Sequence, residues 1–80
     1  MNRKILQSVL SGKKDNNIKF KELQTLLLQL GLKERIKGDH FIYIKHNTGE
    51  IINIQPVGNM AKGYQVKQVR DFILKHRLAR

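Results

Sequence analysis

The stretch "KGDHFIYIKHNTGEIINIQP", from Lys37 to Pro56, decides the fold. Its segments HFIYIKH (40–46) and EIINIQP (50–56) are rich in β-branched and aromatic residues, which favours strands. The NTG segment (47–49) is typical of a hairpin loop, and Pro56 is expected to end the second strand. A connection this short excludes a parallel crossover, so the two strands are predicted to pair antiparallel.

A third strand is predicted on the N-terminal side of this hairpin. The segment LKERIK (32–37) alternates weakly, and Gly38-Asp39 is a turn pair in front of residue 40. Its order is the reverse of the usual Asp-Gly hairpin signal. The three segments therefore predict an antiparallel meander, followed by a loop over VGNMAKG (57–63).

Helices are predicted on both sides of the strands. Residues 19–30 place four apolar side chains on one stripe, and Gly31 follows as a C-terminal glycine would. Asp15 to Asn17 are expected to cap this helix. Residues 64–78 form a second amphipathic helix, and residues 3–10 form a shorter one. The predicted order is therefore α-α-β-β-β-α.

This order predicts a single α+β domain over residues 1–80. The helices at 19–30 and 64–78 are expected to cover one face of the three-stranded antiparallel sheet, while the other face stays open. Such an arrangement is the double-stranded-RNA-binding-like fold, here with a short extra N-terminal helix. Domains of that fold bind RNA by shape and through 2′-OH and phosphate contacts.

The charge of the chain indicates a polyanionic or acidic partner. Sixteen Lys and Arg residues stand against six Asp and Glu residues, which gives a formal net charge of +10 over 80 residues. Such an imbalance repels itself unless a polyanion or an acidic protein neutralises it. Nucleic acid is the leading candidate and an acidic protein the second. Lysines that serve only solubility are the alternative explanation.

Several other classes of protein are not expected. The chain has no cysteine, so neither a disulfide framework nor a thiolate zinc site can form. The apolar runs are too short for a membrane span and no signal-peptide core is present, so we expect a cytoplasmic protein without a membrane partner. His40 and His46 would lie about 20 Å apart on an extended strand, too far to share a metal ion. We expect neither a metal nor a cofactor.

His40 is the candidate for chemistry. Metal-free RNA cleavage needs a group that takes the proton from a ribose 2′-OH, a group that protonates the departing 5′ oxygen, and a cation beside the phosphorane. Histidine titrates near neutrality and suits either proton transfer. Lys37 and Lys45 bracket His40 and are candidate phosphate ligands. Asp39 is expected on the opposite face, because neighbours in a strand alternate. A surface histidine at a strand end is the other interpretation.

An ordered set of segments runs through the chain: LGL (30–32), KERIKGDHFIYIK (33–45) and EIINIQPVGNMAKGYQVKQVRDFI (50–73). This set resembles the HicA family of toxin–antitoxin systems, small endoribonucleases that cleave mRNA. The resemblance covers about residues 18–78. The helix at 3–10 goes beyond the minimal family pattern, so it is treated as an accessory element beside a core at 18–78.

The resemblance implies which residue is catalytic and which protein is the partner. The family has Gly-Ser-His where this chain has Gly38-Asp39-His40, so His40 matches the catalytic histidine and Gly38 the family glycine. A HicB-like antitoxin, expected to be acidic, would cover His40. Asp39 departs from the family serine. If the serine hydroxyl helps to bind phosphate, an aspartate opposes that binding and changes the efficiency and choice of RNA.

The sequence is compatible with three functions. The first is a toxin-type endoribonuclease with His40 as general acid or base. The second is a non-catalytic domain that binds double-stranded or structured RNA, and the third is a protein-interaction module for an acidic partner alone. For both RNA functions, RNA contacts are predicted at Lys37, Gly38, Lys45, Lys62 and Lys67.

Overall fold

The computed structural model describes residues 3–78 of the chain. Its helices are α1 (Arg3–Ser11), α2 (Phe20–Gln29) and α3 (Gly63–His76). Its strands are β1 (Lys33–Lys37), β2 (His40–Ile44), β3 (Ile51–Ile54), β4 (Pro56–Val57) and β5 (Met60–Ala61). The predicted order of three helices and three main strands is confirmed. The main strands are shorter than predicted, since β2 stops at Ile44 and β3 begins at Ile51.

The three main strands form one antiparallel sheet in the order β1-β2-β3. Lys37 pairs with His40 across a two-residue turn, and Phe41 pairs with Ile54 on the other side of β2. Gly38 has a φ of 62°, whereas Asp39 has no positive φ. Positive φ at the first central residue alone fits a type II′ turn, which prefers glycine there. This turn type explains why Gly-Asp, rather than Asp-Gly, joins β1 to β2.

The predicted loop over 57–63 is wrong over residues 57–61, because β3 ends before Pro56 as predicted but a new strand begins at that proline. Strands β4 and β5 form a second antiparallel hairpin in which Pro56 pairs with Ala61. A proline lacks an N–H donor but is tolerated at a sheet edge, because its carbonyl can still accept. The chain before α2 holds this hairpin in place, since the Ala61 N–H donates to the Ile18 carbonyl at 2.9 Å.

The predicted cap of α2 is also wrong. The helix begins after Lys19, whose N–H donates to the Glu22 carboxylate at 3.1 Å. Asp15 instead accepts from Arg70 of α3, at 2.9 Å from Nη1 to Oδ1. The same Arg70 Nη1 donates to the carbonyl of Val9 in α1 at 3.1 Å. One guanidinium therefore links α1, the following loop and α3.

A single core joins the helices to one face of the sheet. Val9 of α1, Tyr43 of β2 and Val66 of α3 are each fully buried. Phe20 of α2 meets Phe41 of β2 edge-on, with ring centroids 5.0 Å apart. We call this the inner face of the sheet; its members on β2 and β3 are Phe41, Tyr43, Ile52 and Ile54. The helix predicted as an accessory element thus contributes buried residues to the same core.

The opposite side of the sheet is open within residues 3–78. Strand alternation places a different set of side chains there, and each of them is exposed or half-buried. We call this set the outer face: Lys33, Arg35, Lys37, His40, Ile42, Ile44, Ile51 and Asn53. The chain is thus a small α+β domain with one covered and one open sheet surface. None of the helices described is long and apolar enough to cross a bilayer.

Candidate functional site

His40 is the first residue of β2 and projects from the outer face. It directly follows the type II′ turn, and strand alternation places its side chain on the same face as those of Ile42 and Ile44. Its side chain is 48% exposed. An imidazole at the end of a rigid ladder is thus accessible to a molecule that lies on the outer face.

Lys37 is the direct partner of His40 in the β1–β2 register. Paired residues in an antiparallel sheet have Cβ atoms about 4.5–5.5 Å apart, so the ammonium and imidazole groups leave the sheet side by side. Lys37 makes no ion pair with any residue from 3 to 78. Its charge is therefore available to an anion that approaches His40. Gly38, the other predicted contact in this region, forms the adjoining turn.

The expectation that Asp39 points away from His40 is wrong. Asp39 Oδ1 lies 3.8 Å from His40 Nε2, and its side chain is 80% exposed. Alternation does not apply because Asp39 lies in the turn and not in the strand. The separation is longer than a hydrogen bond, so Asp39 does not fix the orientation of the ring.

Gln55 is a neighbour of His40 that was not predicted from the sequence. It lies between β3 and β4, and its Nε2 atom is 3.0 Å from Nδ1 and 3.1 Å from Nε2 of the imidazole. The backbone N–H of Gln55 donates to Oε1 of Gln65 at 3.1 Å. Gln65 belongs to α3 and is only 4% exposed. No local pattern in the sequence connects these three residues, since the contacts bridge ten and fifteen positions.

A basic row runs along β1 on the outer face, formed by Lys33, Arg35 and Lys37. None of the three makes an ion pair with residues 3–78. The carboxylates of the chain are engaged elsewhere, apart from Asp39 beside the imidazole. Each of the others has a partner within the fold: Asp15 binds Arg70, Glu22 binds the Lys19 N–H, Glu34 binds Tyr43, Glu50 binds Lys75 and His76, and Asp71 binds Lys67. Only Lys37 of this row was predicted as a contact. The spacing of two positions between Lys33, Arg35 and Lys37 in the sequence would have placed all three on one face of a strand.

The remaining predicted RNA contacts are distributed over other parts of the molecule. Lys45 follows the far end of β2, five residues from His40, which corresponds to about 17 Å along a strand. Lys62 precedes α3, and its Nζ lies 5.9 Å from the ring centroid of Tyr64. Lys67 donates to Asp71 at 2.9 Å on the exposed side of α3. Lys37 and Gly38 adjoin His40, whereas Lys45 does not.

The other two histidines have different surroundings. His46 is exposed in the turn after β2. His76 is 2.9 Å from Glu50 and its ring lies 4.5 Å from that of Phe72, with only 11% of its side chain exposed. Hydrogen bonds from His76 and then from Lys75 hold the pKa of Glu50 below its usual range. His76 is therefore part of the packing at the end of α3.

Within residues 3–78, no group of three or more His, Asp or Glu side chains is placed to hold a metal ion. Comparison of the chain with protein-family models, curated proteins and solved structures found no match. The function is therefore inferred from the chemistry of His40 and its neighbours.

Proposed function

We propose that the chain is a HicA-type toxin, a cytoplasmic endoribonuclease that cleaves mRNA without a metal and uses His40 as general acid or base. The observation that carries the proposal is the exposed His40 imidazole paired in register with the unneutralised Lys37 on the open outer face. The resemblance over residues 18–78 points to the same histidine. It also gives the finer fold that we propose, the double-stranded-RNA-binding-like arrangement of α2, the meander and α3.

The proposed reaction is an internal transesterification of the RNA backbone. A base takes the proton of a ribose 2′-OH, and this oxygen attacks the adjacent phosphorus. The bond from phosphorus to the 5′ oxygen breaks, and an acid protonates that oxygen. The products are a 2′,3′-cyclic phosphate and a 5′-hydroxyl, and no water is consumed. His40 supplies one of the two proton transfers, which typically contributes about 10²–10⁴-fold in rate. Lys37 stabilises the charge that grows on the phosphorane.

The outer face supplies the proposed RNA path. Lys33, Arg35 and Lys37 follow one another along β1 and lead to His40 at the end of the ladder. Cations in such a row bind successive phosphates without reading sequence. Ile42 is paired with Arg35 of the row, and Ile51 lies on β3 of the same face, so both offer apolar surface to unstacked bases. Lys45, Lys62 and Lys67 stay predictions as further phosphate contacts.

An acidic, HicB-like antitoxin is the proposed protein partner. The net charge of +10 and the basic row on the outer face support an acidic partner. A partner seated on this face would cover His40 and compete with RNA for the same cations. Inhibition would then follow from simple occlusion of the site.

A non-catalytic RNA-binding domain is the alternative. The basic row favours it, because Lys33 and Arg35 can bind phosphate whether or not His40 acts as an acid or base. The two functions share the same surface and differ only in the fate of the RNA.

Incubation of the purified protein with RNA in excess EDTA separates these functions. The nuclease should cleave the RNA despite the chelator and leave 2′,3′-cyclic phosphate ends. Tight binding of RNA that stays intact would favour the binding domain. Absence of RNA affinity at low salt would exclude both RNA functions and favour a protein-interaction module that binds an acidic partner.

A further inference from the structure

We propose that Gln55 is a positioning residue that holds the imidazole of His40 in its working orientation. The inference rests on the proposed function, because orientation matters only if His40 transfers protons. Three observations support it: the contact of the Gln55 amide with the ring, the two constraints on the Gln55 backbone, and the weaker contact of Asp39 with the same ring.

The Gln55 amide lies across the imidazole and not at one end of it. Its nitrogen is almost equally far from Nδ1 and Nε2, at 3.0 and 3.1 Å. The lone-pair directions of the two ring nitrogens diverge, so a nitrogen in this position is aligned with neither one exclusively. An atom this close to both nitrogens lies over the face of the ring, because in the ring plane it would overlap Cε1. A change in the side-chain torsions of Gln55 that carries the amide toward the ring plane brings an N–H to whichever ring nitrogen is unprotonated.

The backbone of Gln55 is fixed from two sides. Its N–H donates to Oε1 of Gln65, a side chain that is 4% exposed and thus held by the core. Pro56 follows directly, and the residue before a proline is restricted to extended conformations by the proline ring. The amide therefore projects toward His40 from a rigid origin.

This arrangement matches the needs of a group that gains and loses a proton. A neutral imidazole has one acceptor nitrogen, and an amide N–H can donate to it. Once the ring is protonated both nitrogens donate, and a half-turn of the amide presents its oxygen instead. Gln55 can therefore support the ring of His40 in either tautomer and in the protonated form.

Asp39 is the other polar neighbour, and it is less suited to this task. Its carboxylate is 3.8 Å from the ring, beyond hydrogen-bonding distance, and its side chain is 80% exposed. Asp39 also projects from the turn, whereas Gln55 is tied to α3 through Gln65. The ring is therefore held by the amide.

Three variants of the full chain test the role: Gln55→Ala, Gln55→Glu and, as a matched control, Gln68→Ala on the exposed side of α3. The first measurement needs no activity and uses NMR of the ring nitrogens of His40. Gln55→Ala should move both resonances, while Gln68→Ala should leave them in place. Unchanged resonances in Gln55→Ala would overturn the contact itself.

The second measurement is RNA cleavage as a function of pH. Loss of one neutral hydrogen bond predicts that kcat falls about three- to tenfold in Gln55→Ala, with KM changed less than about twofold. Gln55→Glu should move the limb of the pH–rate profile that His40 sets to higher pH, because a carboxylate favours the imidazolium. That limb is the acid limb if His40 is the general base and the basic limb if it is the general acid. Thermal unfolding of each variant checks that the fold is intact.

The outcomes separate the two proposals. Absence of cleavage by the wild-type protein would overturn the nuclease, and the NMR comparison would still decide whether Gln55 holds the ring. Wild-type cleavage together with an unchanged rate and pH profile in both Gln55 variants would overturn the positioning role alone.

Discussion

Lys37 and His40 are directly paired across β1 and β2, so a cation and an imidazole leave the outer face side by side. The Gly38-Asp39 turn that joins them fixes this relationship through the backbone. Any anion that reaches the histidine therefore meets the lysine. The pair, with the rest of the basic row, leads to the first prediction.

Neutralising the basic row should weaken RNA binding in a salt-dependent manner. For a single strand, the slope of log affinity against log salt should fall by about 0.7 for each phosphate that the variant no longer binds. The double variant Lys33→Gln/Lys37→Gln should thus reduce the slope by about 1.4, measured by fluorescence anisotropy at several salt concentrations. Lys62→Gln/Lys67→Gln tests, in the same assay, the predicted phosphate contacts just before α3 and on it. An unchanged slope in the first variant would remove β1 from the RNA path.

Removing Arg70 should destabilise the fold by detaching α1 from α3. Its guanidinium binds the carboxylate of Asp15 and the carbonyl of Val9, and its side chain is 16% exposed. Arg70→Ala should cost about 1–2 kcal/mol of unfolding free energy. The melting temperature should fall by about 4–8 °C per kcal/mol in a domain of this size.

Lys67→Ala is the control for that measurement, since it breaks an exposed pair with Asp71. Water and salt screen such a pair, so its removal should change the melting temperature very little. Equal melting temperatures for the Arg70 and Lys67 variants would show that the Arg70 contacts stabilise the fold no more than an exposed ion pair does.

Acid should weaken the contact between Glu50 and the end of α3. Hydrogen bonds from His76 and Lys75 lower the pKa of Glu50 in the folded protein. Because the pKa of Glu50 is lower in the folded than in the unfolded protein, its ionised carboxylate stabilises the folded state. This stabilisation is complete above the pKa of glutamate in the unfolded chain, about 4.3, and is lost as the pH falls through the pKa in the folded protein. Glu50→Gln should therefore be less stable than wild type at pH 7.

The gap in melting temperature between wild type and Glu50→Gln should narrow as the pH falls below about 4.3. Thermal unfolding followed by circular dichroism from pH 7 to pH 3 measures this. A gap that stays constant over the whole range would show that the carboxylate charge has no part in the contact.

An acidic partner should protect the site. If the proposed antitoxin occludes His40, hydrogen–deuterium exchange in the complex should slow across residues 37–44, and cleavage should stop at a stoichiometric ratio. The small acidic protein to test is one encoded beside this chain. A complex that inhibits cleavage while residues 37–44 exchange freely would contradict occlusion and indicate inhibition at another part of the RNA path.

The order of elements could be predicted because local patterns specify it. The apolar stripe of α3 and the β-branched run of β2 are both legible within a few residues. The β4–β5 hairpin was missed because Pro56 signals an end, although its carbonyl can still pair at an edge. The outward position of His40 follows from alternation along β2.

The surroundings of His40 could be predicted only in part. Lys37 was predicted beside His40, and the hairpin register places it there. Lys33 and Arg35 were not predicted, although period-two alternation along β1 puts them on the same face. Gln55 depends on a tertiary contact with Gln65 of α3, and no spacing in the sequence encodes that contact. Asp39 was misplaced because strand alternation was applied to a turn residue.

Single-turnover cleavage of RNA by His40→Ala, in excess EDTA, tests the catalytic role of His40 most directly. His46→Ala is the matched control, because it removes an exposed imidazole at the other end of β2. We expect the wild-type and His46→Ala proteins to cleave at similar rates and His40→Ala to be slower by about 10²–10⁴-fold with an unchanged melting temperature. Cleavage by folded His40→Ala at near the wild-type rate would contradict the assignment of His40 as the catalytic acid or base.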